Sequence, residues 1–198
     1  MTVQTIRSLF GIPPSVPSVT DSVLVLIDTQ GEYSDGVLKV ERATETRAVI
    51  KSLLEKYRTA KGSIIHVVAD TPPGAPIFTQ GTPLAEILPE LTPVAGEPVV
   101  HKVYASAFTD TTFEEEVKKT QKKKLVVVGY MAHNCVSSTV RAGSEKGYDV
   151  YAVRDAIGDR NIPGATAEEL VRISLAEVAD ALATVIDSKD VQTDKASL

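Results

Sequence analysis

Six short apolar runs recur along the chain, set apart by amphipathic stretches or loops: Val23–Ile27, Ser63–Ala69, Pro98–His101, Leu125–Val128, Tyr148–Val153 and Ala183–Ile186. These runs are rich in β-branched residues and are continuous rather than alternating, the pattern of strands covered on both faces. Helical spacing fills the gaps: from about Arg42 to Lys61, over Phe113–Gln121, Cys135–Gly147 and Ala165–Leu182. The first of these stops at Gly62, a suitable helix terminator. Strand and helix in alternation predict a parallel sheet with helices on both faces. Residues 70–97, which hold most of the prolines, read as loop. No repeat or linker divides the 198 residues, so one domain is expected, with an N-terminal arm over residues 1–20 and a C-terminal tail over 189–198.

Charge and cysteine content narrow the partners. The net charge is −5 and no basic stripe with interleaved aromatics is present, which argues against nucleic acid. The Lys118–Lys124 cluster ends a predicted helix, where cations complement the dipole, and reads as a solvated face. A single cysteine excludes an intramolecular disulfide and suits a reducing compartment. The segment Met1–Phe10 lacks the apolar core of a signal peptide, and no apolar run is long enough to span a membrane. The expectation is a cytoplasmic protein that neither enters a membrane nor binds nucleic acid, with unconventional secretion left open.

Three residues at strand ends carry the chemistry. Cys135 lies where a buried strand gives way to a helix, and a helix N-terminus favours thiolate over thiol. The bland alternative is an inert core cysteine. Asp28 follows five apolar residues, so it is desolvated at the sheet rim and is either an Asx turn or cap, or a carboxylate tuned toward general-base range. Lys102 follows the third strand and either snorkels or projects from the same rim. Ligand sites in open α/β sheets gather at the carboxyl ends of strands, so the three form a plausible nucleophile, base and electrostatic partner. Gly129 lets the chain turn sharply after the strand, and Ala132 keeps the approach to Cys135 open.

Four blocks then resemble the isochorismatase-like cysteine hydrolases over about Ser22 to Val191: Leu24-Val-Leu-Ile-Asp-Thr-Gln30; Gly81-Thr-Pro-Leu-Ala-Glu-Ile-Leu-Pro-Glu-Leu91; His101-Lys-Val-Tyr-Ala-Ser-Ala-Phe108; and Val128-Gly-Tyr-Met-Ala-His-Asn-Cys-Val-Ser-Ser-Thr139, continuing to Arg154-Asp-Ala156. The resemblance implies a three-layer, Rossmann-like α/β/α fold whose six-stranded parallel sheet has the order 3-2-1-4-5-6. It implies a triad of Asp28 as base, Lys102 as electrostatic partner and Cys135 as nucleophile. It also implies a cis peptide between Tyr130 and Met131, with the N–H groups of Met131 and Cys135 facing an oxyanion. Gln30, Phe108, Tyr130 and His133 are the candidate substrate-lining residues.

The nicotinamidase-type members carry a metal-binding Asp-x-His…His pattern after the second strand. Here Asp70-Thr-Pro-Pro-Gly-Ala-Pro76 has no histidine, and His66 and His101 read as structural, so no metal and no cofactor are expected. The partners implied are a small-molecule substrate and further copies of the chain in a dimer or tetramer, with lid residues from about 70–83 and from a neighbouring subunit. Two reactions fit. One is amide hydrolysis through Cys135, toward which the cysteine leans. The other is hydrolysis of isochorismate to pyruvate and 2,3-dihydro-2,3-dihydroxybenzoate, toward which the Gly81–Leu91 block leans slightly. A non-catalytic binding protein on the same fold is the reading from another class.

Overall fold

The computed structural model describes residues 3–193. Its sheet has six parallel strands: β1 (Ser22–Ile27), β2 (Ser63–Ala69), β3 (Val99–Lys102), β4 (Lys124–Tyr130), β5 (Asp149–Gly158) and β6 (Ala183–Ile186), in the order β3-β2-β1-β4-β5-β6. β1 lies at the centre between β2 and β4, with Ile27 in register with both Val67 and Gly129. Every residue of β1 is buried, which its unbroken apolar run requires.

Successive side chains of β1 feed opposite cores, because a strand's side chains alternate between faces. Leu24 and Leu26 pack with Ile50, Leu53, Leu54 and Tyr57 of helix α3 (Ala43–Thr59). Val23, Val25 and Ile27 pack with side chains of α4 (Phe113–Lys119), α5 (Ser137–Glu145) and α6 (Ala167–Ala181). Burial of each such aliphatic side chain contributes about 1.5–3 kcal/mol, so the two cores hold the three layers together. α6 is started by Thr166 and Glu169, whose side chains each satisfy the other's backbone N–H.

The structure departs from the sequence reading at element ends. Cys135 does not open α5: it sits in a π-helical turn, Ala132–Val136, that precedes it. β5 continues five residues beyond Val153, through the exposed pair Arg154 and Asp155 to Gly158. Those two charges read as a strand end because they face solvent, while the strand resumes with buried Ala156 and Ile157. Gly129 is not the turn after β4 but lies inside it, with φ +112° where the β5 register shifts, and a Cβ there would stand 2.0 Å from the Ile27 carbonyl oxygen. Two short helices were not foreseen, α1 (Ile6–Leu9) and α2 (Glu32–Asp35).

The described parts of the arm and tail are tied to the rest of the fold. Val19 and Val191 are wholly buried, and Val19 and Gln192 are tied by backbone hydrogen bonds that run between residues 17–19 and Gln192. α1 lies against α6, the Ile6 N–H donating to Asp180 Oδ1 at 3.0 Å. The remainder of the expected tail, 194–198, lies outside the described residues.

Candidate active site

The carboxyl ends of β1, β3 and β4 bring Asp28, Lys102 and Cys135 together. Lys102 Nζ lies 2.8 Å from Asp28 Oδ2 and donates to Cys135 Sγ at 3.2 Å. The three residues are 0, 3 and 5 % exposed. Lys102 reaches them because the side chains of edge strand β3 alternate: Val99 and His101 face outward, Val100 and Lys102 inward. Asp28 turns toward the lysine from a left-handed backbone conformation, φ +48°, immediately after β1. Strained backbone of this kind concentrates at functional sites.

The Lys102 ammonium is within ion-pair distance of the wholly buried Asp28 carboxyl. Burial raises the Asp28 carboxyl above its ordinary range, and the nearby Lys102 charge only partly offsets it. For Lys102, burial works against the ammonium, yet the charges of Asp28 and Cys135 outweigh it and hold the lysine above its ordinary value. The Cys135 thiol is pushed up to about 12, by burial first and by the Asp28 carboxylate second, with Lys102 opposing. The thiolate expected from a helix terminus is therefore not the resting form, because Cys135 is buried beside a carboxylate and outside the first turn of α5. The peptide bond joining Tyr130 to Met131 is cis.

Three of the four expected substrate-lining side chains are committed elsewhere. Gln30 donates to the Ala69 and Ala85 carbonyls at 3.0 and 2.8 Å and accepts from the Ala69 N–H at 2.8 Å, so its amide clips β2 to the 85–88 segment. Phe108 packs edge-on to Phe113, centroids 4.8 Å apart, and lies beside Tyr148 and Lys146. That places it half-buried against the α4–α5 core, because the chain after Lys102 runs on toward α4. The Tyr130 hydroxyl pairs with Thr46 Oγ1 at 2.8 Å under α3. His133 alone remains partly exposed at the turn that carries Cys135, its Nδ1 2.8 Å from both oxygens of Asp159.

Two site residues escaped the sequence reading. Tyr33, in α2, is buried, and its phenol is held far above the ordinary range by burial and then by the charges of Asp28, Cys135, Asp159 and Glu32. A four-residue helix has too few residues to show a period. Asp159 immediately follows β5, and a strand end displaced by five residues hid it. The other histidines lie outside the site: His66 is buried against Glu97 at 2.9 Å, and His101 faces Asp70 at 3.0 Å on the outer side of β3. Among the described residues, no three His, Cys, Asp or Glu side chains converge as a metal site, and no helix is long and apolar enough to cross a membrane.

Comparison with known proteins places these features in a family. The isochorismatase domain matches residues 22–190. A secreted isochorismatase effector of Verticillium dahliae is 55 % identical over 93 % of this chain and 97 % of its own. An isochorismatase-like protein of Emericella nidulans is 31 % identical over 97 % of this chain and 88 % of its own. The crystal structure of an isochorismatase from Pseudomonas putida KT2440 superposes with a TM-score of 0.91 at 30 % identity, covering 96 % of this chain and all of that one. With the sheet order and the family match in agreement, the chain belongs to the isochorismatase family of hydrolases.

Proposed function

We propose that the chain hydrolyses the enol-pyruvyl ether of isochorismate, with Asp28 as the proton donor. The observation that carries this is Asp28 itself: a wholly buried carboxyl, raised above its ordinary range, 2.8 Å from the Lys102 ammonium. A carboxyl raised above its ordinary range binds a proton more readily than a free carboxylate and can deliver it. Similarity to the Verticillium dahliae isochorismatase effector supports the same substrate.

Asp28 gives its proton to the terminal methylene carbon of the enol ether, whose C=C electron pair forms the new C–H bond. Positive charge develops on the ether-bearing carbon, and water adds there, returning a proton to Asp28. The resulting hemiketal breaks its C–O bond as the hydroxyl proton passes to the leaving oxygen. One water is consumed, and pyruvate and the dihydrodiol leave. Lys102, 2.8 Å from Asp28, orients the carboxyl and stabilises it once it is ionised.

A second reading is favoured by the 3.2 Å contact of Lys102 Nζ with Cys135 Sγ. There Asp28 takes the thiol proton, Cys135 attacks an amide carbonyl, and the N–H groups of Met131 and Cys135 receive the oxyanion. The amine leaves with the proton from Asp28, and water cleaves the thioester.

Pyruvate release from isochorismate separates the two readings. In the first, Cys135→Ala keeps its activity, Asp28→Asn loses about 10²–10⁴-fold, and the rate falls as pH rises through the Asp28 pKa. In the second, Asp28 must be ionised, so amide cleavage rises over the same range and Cys135→Ala abolishes it. An active wild type whose Cys135→Ala variant releases no pyruvate overturns the first reading. The secreted location named for the Verticillium dahliae relative is part of the proposal, in place of the cytoplasmic expectation. An immunoblot that finds the protein in cells and none in culture filtrate removes it.

A further inference from the structure

The π-helical turn that carries Cys135, Ala132–Val136, is held from outside its own helix. Its Asn134 and Val136 N–H groups donate to the Met131 carbonyl at 3.1 and 3.2 Å, but the cap residue Met131 gives the turn no side-chain hydrogen bond. The early N–H groups of a helical turn have no partner within it. That of His133 finds one 26 residues away, donating to Asp159 Oδ2 at 3.0 Å. The Asp159 carboxyl is 1 % exposed. It also accepts the Arg160 N–H at 2.9 Å, and both its oxygens stand 2.8 Å from His133 Nδ1.

An irregularity in the sheet puts this carboxyl there. Between Val127, opposite Ala152, and Gly129, opposite Ile157, β4 advances two residues while β5 advances five. The extra length sets Gly158 opposite Tyr130, so the next residue, Asp159, reaches the turn that follows β4. Bulges of this kind re-aim a side chain beside an active site. We infer that Asp159 is a positioning residue: it caps the Ala132–Val136 turn from the end of β5 and so holds Cys135 against Lys102, where Sγ accepts from Nζ at 3.2 Å. This rests on the proposed function only for the use made of that turn. A carboxyl that merely anchored the end of β5 could be lost without loosening Cys135.

Cys135 is the only cysteine in the chain and is buried, so its alkylation by iodoacetamide reports how often the turn opens, with no turnover needed. Sulfur displaces iodide, one C–S bond forms and the thiol proton passes to buffer. The variants are Asp159→Ala, which removes the acceptor, and Asp159→Asn, whose side-chain oxygen still accepts the His133 N–H. Glu97→Gln, altered just before β3 and away from the turn, is the control, compared at urea concentrations that give each protein the same unfolding free energy. Under that match Asp159→Ala is alkylated about tenfold faster than Glu97→Gln, the effect of losing one buried hydrogen bond, while Asp159→Asn stays within about threefold of wild type. The inference is overturned if Asp159→Ala reacts no faster than Glu97→Gln, or if Asp159→Asn reacts as fast as Asp159→Ala. Should Asp159→Ala fail to fold, amide hydrogen exchange of the wild type decides: His133 N–H is slowed about a hundredfold or more relative to an unstructured peptide, and an unprotected amide overturns the inference. Alkylation as expected in a protein that releases neither pyruvate nor ammonia defeats only the proposed function.

Discussion

Lys102 holds the site together electrostatically: it is the only cation at hydrogen-bonding distance from both Asp28 and Cys135 among the described residues. Removing one member of a buried ion pair leaves an uncompensated charge and costs about 3–5 kcal/mol. Lys102→Met is therefore expected to lose stability of that order near neutral pH in urea unfolding. Without the lysine the Asp28 carboxyl rises further, and a carboxyl raised by folding favours the folded state at low pH and loses that contribution as pH rises. The deficit of the variant should thus be smaller at about pH 5 than at about pH 7.5; an equal deficit at both would show that Asp28 is not the group left unpaired. At this scale the convergence of Asp28, Lys102 and Cys135 was legible, because each lies at or just beyond the end of a strand. The roles of Gln30, Phe108 and Tyr130 were not, because whether a polar atom is free depends on which backbone carbonyl or hydroxyl it meets from a distant segment.

Between residues and fold, the loop elements carry the finer control. Glu32 is wholly buried in α2, and its two oxygens accept the N–H groups of Leu38 and Phe78 at 3.0 Å each. It thereby clips the 70–83 segment to the stretch after β1, where the Phe78 ring meets Tyr33 edge-on at 5.2 Å. Glu32→Ala strands one buried donor, Phe78 N–H, and one half-buried donor, Leu38 N–H, so a loss of about 1–3 kcal/mol is expected by denaturant unfolding. Glu32→Gln keeps one acceptor oxygen and should fall between the two. A wild-type midpoint in the alanine variant would mean that water replaces the carboxylate. β1 through β6 were readable from their apolar runs, whereas α2 was not: four residues show no period, and packing rather than propensity holds them in helix.

Over the whole molecule, the acid limit of stability lies at the end of the sheet opposite the triad. Glu97 accepts both Arg58 Nε and Nη2 at 2.8 Å and also meets His66 Nε2 at 2.9 Å. Burial raises the Glu97 carboxyl, but Arg58, the Val94 N–H and His66 together lower it to about 2. Burial lowers His66, and its Nδ1 has no partner. A depressed carboxyl stabilises the fold above its unfolded value of 4.5 and loses that contribution as pH falls toward about 2. A depressed histidine likewise binds its proton more readily when unfolded, so stability begins to fall below its ordinary value of 6.5. Thermal unfolding of Glu97→Gln across this range should show a lower midpoint than wild type near neutrality and a shallower decline below about pH 4.5. Parallel curves for the two proteins would remove Glu97 from the acid transition.

What the chain alone determined was the layered α/β class, the six strands and the three strand-end residues, because continuous apolar runs and the charges that stop them are local patterns. Only the tertiary structure decided that Gln30 is a clip and Phe108 a half-buried ring packed on the core, that Cys135 rests as a thiol, and that Asp159 pairs with His133. Those outcomes depend on burial and on partners from other segments of the chain, and neither is written in the spacing of neighbouring side chains.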